Sequence, residues 1–477
     1  MIIGRAEQQK ILKEAMQSSK SELVVVYGRR RVGKTFLIKN TLGSQIDFEM
    51  TGIQDGDLSD QLDIFISKLA EKNFGNIGWE KPKNWLQAFT LLKAYLTSLK
   101  TKKKKILFFD ELPWIATPKS KFLGMFGYFW NDWAVYNNVM IVICGSAASW
   151  MINNVLNNKG GLHNRVTQYI PLQPFCLLET EQFLKAKKIK TNRYQTLQLY
   201  MTLGGIPYYL ELLKPGQSIP QNIDRLCFDA NGFLRDEFDR LFKSLFEKSE
   251  NHVAVVKALS SKWRGLTRKE IVATTKLNNA GSLTRILEEL EKSAFIQRYA
   301  PFQKKARGTL YRLTDNFSLF YLKVMSKRNL KNQKNVFLKL FTTPAFRVWS
   351  GYAFENICLI HHRQIAEALG ISYIFHEFSS FYFPGDEDYK GFQIDLLIDR
   401  ADGIINLCEI KFSAAKFKLT PAYKEALRER AAAFSLLTKS KKTIMTTLIT
   451  TYGLTNAKEH LDVIQNVVTM DALFVGE

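Results

Sequence analysis

Two groups of residues in this chain have types and spacings suited to phosphate chemistry. The first is Gly28-Arg29-Arg30-Arg31-Val32-Gly33-Lys34-Thr35, a complete GxxxxGK[ST] sequence. Gly28 and Gly33 allow backbone angles that let successive N–H groups close around phosphate oxygens. The helix that opens at Thr35-Phe36 turns its positive end to the same point. Residues Gly28 to Phe36 are therefore expected to bind a nucleoside triphosphate, with Lys34 reaching the β- and γ-phosphates and the Thr35 hydroxyl ligating Mg²⁺. Leu23-Val24-Val25-Val26-Tyr27 before the loop reads as a buried parallel strand and Thr35 to Ile38 as a helix start, the context the mechanism requires.

Such a site needs an acid at the end of a neighbouring strand. Ile106-Leu107-Phe108-Phe109-Asp110-Glu111 supplies one, with Asp110 expected in the Mg²⁺ shell and Glu111 placed to polarise an attacking water. A third apolar run, Val139 to Gly145, ends at Ser146. That hydroxyl either contacts the γ-phosphate or water, or caps the helix that follows from Ala147.

The second group lies near the C-terminus. Gln393 to Ile398 and Asn406 to Phe412 alternate as strands, and Asp402-Gly403 between them is a hairpin turn signal. A turn centred on Asp402 pairs position 395 with 409, and residues two apart share a face, so Asp395, Glu409 and Lys411 are expected on one patch. Upstream, Gly351 to Leu369 reads as a helix carrying Glu355. Carboxylates that hold a divalent metal beside a lysine are the requirement for phosphodiester hydrolysis. A solvated strand face with an ion-pair cluster is the other reading of the same residues.

The elements that must position these groups fall into four units. Residues 1–174 alternate strands and helices around a parallel sheet, with Gln45 to Gly52 as a further strand and Arg165 to Leu172 as the last one. Helical spacing of Phe122, Phe126, Phe129, Trp130 and Trp133 points to core or subunit packing, not base stacking. Residues 175–247 read as a helical lid broken by Leu203-Gly204-Gly205-Ile206-Pro207. Residues 248–330 fit a winged helix-turn-helix: Thr267 and Glu270 make a capping box, and Leu283, Ile286, Leu287 and Leu290 form an apolar stripe. Two alternating strands follow, joined by the basic tip Lys304-Lys305-Ala306-Arg307. Residues 331–477 hold the second group.

Lys and Arg total 67 against 45 Asp and Glu, a net charge of +22 that favours a polyanionic partner, nucleic acid foremost. The five cysteines are odd in number and far apart, which points to reduced core thiols in the cytoplasm rather than disulfides or a zinc site. No run of 18 apolar residues and no signal peptide is present, so neither membrane spanning nor secretion is expected.

The chain resembles the archaeal-type P-loop ATPases, relatives of AAA+ and STAND NTPases, in which an ATPase core, helical lid and winged helix precede a PD-(D/E)xK nuclease-like domain. The resemblance rests on Ile3-Gly4-Arg5, Gly28 to Thr35, Asp110-Glu111, Gly145-Ser146, Gly205-x-Pro207 and Asp395…Glu409-x-Lys411. It implies a P-loop NTPase core of α/β class followed by the lid, the winged helix and a C-terminal α/β restriction-endonuclease-like domain. It also implies ATP and Mg²⁺ as cofactors and Asp110-Glu111 as the Walker B end. Pro207 would then belong to a GxP lying against the nucleotide base, and Arg165, at the start of the last core strand, would stand near the γ-phosphate. Glu355 is brought to Asp395 and Glu409 as a metal ligand by the resemblance alone, and Ile394 stands where the nuclease pattern has Pro. The resulting expectation is a Mg²⁺-dependent ATPase with a DNA-directed C-terminal half, a candidate metal-dependent endonuclease and a candidate for ATP-dependent homo-oligomerisation. The rival expectation is a STAND-like switch whose tail is an inactive nuclease fold used to bind partners.

Overall fold

Strands covered on both faces must be apolar throughout, and the runs around Val24, Phe108 and Ile141 meet that condition with no exposed surface. β1 (Glu22–Tyr27), β2 (Ile46–Thr51), β3 (Lys105–Asp110), β4 (Val139–Gly145) and β5 (Gln168–Pro171) form one parallel sheet in the order β2-β3-β4-β1-β5. The computed structural model describes residues 2–72, 80–246, 248–303, 308–326, 335–387 and 389–476. It divides into Met1–Gln173 and Pro174–Glu477.

In the first unit the aromatic helix Phe122–Asp132 packs into the core against the helix Trp85–Ser98. Trp85 meets Phe122 edge-on with ring centroids 4.8 Å apart, so these rings are core residues and are not available to stack on bases. β5 is shorter than expected. Arg165 lies in the preceding turn and is exposed, which removes it from the start of the last strand. Pro171 is accommodated within β5 because that strand is at the sheet edge, where no second neighbour requires its missing N–H.

The second unit begins with the helices Leu177–Ala186, Arg193–Leu203, Pro207–Glu211, Ile219–Ile223 and Glu237–Leu245. Next come the helix Ser249–Ser261, β6 (Leu266–Thr267), the helices Arg268–Thr275 and Gly281–Lys292, β7 (Ile296–Tyr299) and β8 (Leu310–Leu313). These three strands pair antiparallel in the order β6-β8-β7. The Thr267 hydroxyl accepts from Glu270 N while the Glu270 carboxylate accepts from Thr267 N, the reciprocal cap expected of that spacing. Lys304, Lys305 and Arg307 lie outside the described residues.

The C-terminal sheet is mixed. β9 (His376–Gly385), β10 (Lys390–Arg400) and β11 (Ile404–Lys411) are antiparallel neighbours, and β12 (Thr443–Thr450) and β13 (Asn466–Thr469) continue from β11 in parallel. The helix Pro421–Thr438 carries the crossover from β11 to β12. The single helix expected over 351–369 is two, Pro344–Ile360 and His362–Ala368, because His361 leaves helical geometry at φ −101°, ψ 31°.

Candidate functional site

Three strand ends and one loop converge in the first unit. The loop after β1 turns at Gly28, where φ is 155° and an added Cβ would lie 2.2 Å from the Leu172 carbonyl oxygen. At Gly33, φ is 88° and an added Cβ meets nothing within 4 Å, so conformation alone calls for glycine there. Gly33 is the N-cap of the helix Lys34–Leu42, whose first N–H groups therefore face the loop. Phe36, on that helix, is exposed.

Lys34 is 6% exposed and donates through Nζ to the carbonyls of Gly28 at 3.0 Å and Arg29 at 3.1 Å. Burial lowers its pKa from the usual lysine value. The Thr35 hydroxyl donates to Asp110 Oδ2 at 2.8 Å, so the two expected Mg²⁺ ligands already stand together. A hydroxyl beside a carboxylate is an all-oxygen donor set of the kind Mg²⁺ takes. Asp110 Oδ1 accepts from Glu111 N at 3.0 Å and from the Cys144 thiol at 2.6 Å. Burial, then the Asp110 charge, push the Cys144 pKa well above the usual range, which keeps that thiol a donor.

Glu111 sits at φ 50°, a left-handed conformation, where β3 gives way to the short helix Leu112–Ile115. Its Oε2 accepts from both the backbone N and the hydroxyl of Ser146, each at 2.9 Å. Ser146 therefore holds Glu111. The helix after β4 is capped at Ala147, so the capping role considered for Ser146 does not occur. Cys144 is the contributor that sequence reasoning missed, since it reads as one more apolar residue of β4.

The GxP segment belongs to the second unit. Gly205 is needed there because an added Cβ would lie 1.9 Å from the Phe175 carbonyl oxygen, while Phe175 N donates to Gly205 O at 2.7 Å. Pro207 is the first residue of its helix. Its base contact rests on the resemblance alone.

In the C-terminal sheet Leu396 pairs with Cys408 and Asp399 with Ile405, a register that sets Asp395 opposite Glu409 as the turn at Asp402-Gly403 requires. The carboxyl groups nevertheless take different partners. Glu409 is held by Lys411 at 2.8 Å, by Arg430 at 2.5 Å and by the Tyr423 hydroxyl. Burial works to raise the Glu409 pKa, but Lys411 and Arg430 outweigh it and hold it below the usual range. Asp395 instead hydrogen-bonds Glu355 and lies 3.7 Å from Arg312. Burial, then the Asp395 charge, raise Glu355 to about 8. The physical reason for the separation is an irregularity in the β9–β10 pairing between Ile394 and Leu397, which breaks the strict alternation behind the expected patch. Among the described residues no three His, Cys, Asp or Glu side chains gather to hold a metal ion. The expected Glu355–Asp395–Glu409 metal centre is thus corrected to two separate charge clusters. Arg312, Tyr423 and Arg430 are the residues missed, and only a buried arginine in an alternating strand could have signalled the first.

Residues 3–213 match the family described as an ATPase domain predominantly from Archaea, and this part of the chain is an archaeal-type ATPase domain. An uncharacterized protein of Methanocaldococcus jannaschii is 25% identical over 361 residues, covering 75% of this chain and 76% of that protein. An uncharacterized ATP-binding protein of the same organism is 45% identical over 42 residues, 9% of this chain and 71% of its own length. The solved Walker-type ATPase of Pyrococcus abyssi shares the fold with a TM-score of 0.53 at 17% identity, over 68% of this chain and 96% of that one. No helix among the described residues is long and apolar enough to cross a membrane.

Proposed function

We propose that the protein is a Mg²⁺-dependent ATP hydrolase whose nucleotide cycle governs a nucleic-acid-directed C-terminal half. The observation that carries the hydrolase reading is the Glu111–Ser146 pair, 2.9 Å apart, beside the Thr35–Asp110 pair at 2.8 Å. A site that only retained nucleotide has no use for a second acid aimed by its own donor. In this reading Lys34 turns its ammonium from the Gly28 and Arg29 carbonyls to the β- and γ-phosphate oxygens. Thr35 and Asp110 hold Mg²⁺, which when bound neutralises charge across those oxygens. Ser146 keeps Glu111 Oε2 occupied, so Oε1 orients the attacking water and receives its proton.

For the C-terminal half, the net charge of +22 and the order of helices and strands from Ser249 to Leu313 support a winged helix that contacts nucleic acid. The separate charge clusters at Asp395 and Glu409 favour binding without cleavage. ATP turnover of the full chain with and without DNA tests the coupling. Stimulation by DNA is expected, and a slow rate that DNA leaves unchanged would favour the switch reading.

A further inference from the structure

Arg312 stands on β8, and its guanidinium is buried among acids from two other elements, with the residue only 6% exposed. Nη1 lies 3.7 Å from Asp395 Oδ1 on β10, and Nη2 lies 3.9 Å from Glu355 Oε2 on the helix Pro344–Ile360. Both separations are too long for hydrogen bonds, and Nη2 has no hydrogen-bond partner among the described residues. Buried polar atoms nearly always find one. Charge therefore holds Arg312 here, without the forked geometry of an optimised arginine–carboxylate pair.

The acids are already partners of each other through a side-chain hydrogen bond. Two carboxyl groups, one shared proton and one guanidinium make a neutral set. A divalent cation would bring the same two positive charges to the same oxygens, displacing the proton and the arginine together. Glu409 is not required for this, because Lys411, Arg430 and Tyr423 satisfy it separately.

We propose that Arg312 is a built-in cation that occupies the place of a divalent metal between Glu355 and Asp395, so that the β7–β8 hairpin holds a latent metal site closed. The hairpin supplies more than the arginine: Tyr299 of β7 lies close enough to feel the charges of both Arg312 and Asp395. An ion pair that merely ties the hairpin to the C-terminal sheet would show the same contacts, but its loss would create no affinity for metal.

The test is titration of the full chain with Mn²⁺ alone, without nucleotide, read by electron paramagnetic resonance. Wild type is compared with Arg312→Gln, Arg312→Lys and Arg312→Gln combined with Glu355→Gln, with near-UV circular dichroism to verify folding. Arg312→Gln should gain one Mn²⁺ bound at least tenfold more tightly than any wild-type site. That gain should vanish in the double variant, and Arg312→Lys should stay at the wild-type level. A folded Arg312→Gln with wild-type affinity, or a gain that survives Glu355→Gln, overturns the proposal. Arg312→Met, uncharged and of similar length, replaces the glutamine variant if that one does not fold. Should neither fold, wild type against Glu355→Gln alone decides. Identical Mn²⁺ binding supports the closed site, and a wild-type site lost in Glu355→Gln would mean metal enters with Arg312 in place.

Discussion

Lys34 and Glu111 belong to the same site but do different work, so their substitutions should separate. Lys34→Ala removes the positive charge that the buried loop directs at phosphate, and loss of tight ATP binding is expected in an equilibrium titration. Glu111→Gln keeps the shape but loses the base. It should bind ATP and hydrolyse it at least tenfold more slowly, within the range general bases contribute. Ser146→Ala should lower turnover while leaving ATP affinity unchanged, because Ser146 touches Glu111 and not the loop. A Glu111→Gln protein hydrolysing ATP at the wild-type rate would remove the water-activating role from Glu111.

At the scale of elements, the phosphate loop depends on a close approach of backbone to β5. Gly28→Ala places a methyl against the Leu172 carbonyl 2.2 Å away and should destabilise the first unit by about 1–3 kcal/mol or more. Gly33→Ala pays only the left-handed conformation, about 1–2 kcal/mol. Thermal unfolding of the two variants should rank them in that order. The break between the two helices at His361 has its own signature. His361 Nδ1 donates to Ile357 O at 2.9 Å and Nε2 accepts from Leu177 N at 3.3 Å, which makes it the neutral ring with the proton on Nδ1. Burial lowers its pKa to about 4, whereas an unfolded histidine titrates near 6.5. Between those values the unfolded chain takes up the extra proton. Stability is therefore complete above about pH 6.5 and falls by up to about 1.4 kcal/mol per pH unit towards pH 4. Denaturant melts at pH 7.5 and 5.0 should show that loss, and His361→Gln should reduce it.

At the scale of the molecule, an excess of +22 charges should appear as salt-dependent association with nucleic acid. Affinity should fall steeply between low and moderate salt. Replacing Lys304, Lys305 and Arg307 with Ala should flatten the slope of log affinity against log salt by about one for each phosphate no longer neutralised. An unchanged slope would place the nucleic-acid surface elsewhere, with the lysines at 102–105 the next to test.

The nucleotide site was legible in the sequence because its parts are local. Phosphate binding needs glycines at set offsets and a lysine at the helix start, and the acidic strand end follows from an apolar run that stops in Asp110-Glu111. The hairpin register at Asp402-Gly403 was legible for the same reason, since a short turn dictates which residues lie opposite. Arg165 shows where local reading ends: an apolar run does not say at which residue pairing begins, and the sheet starts β5 three residues later. The fate of the C-terminal acids was decided only by tertiary structure. Alternation predicts a shared face, but the irregularity at Ile394–Leu397 and the arrival of Arg312, Tyr423 and Arg430 from distant parts of the chain depend on how whole elements pack. Charge pairing across more than forty residues leaves no periodic trace in sequence, so the closed state of Glu355 and Asp395 could be read only in three dimensions.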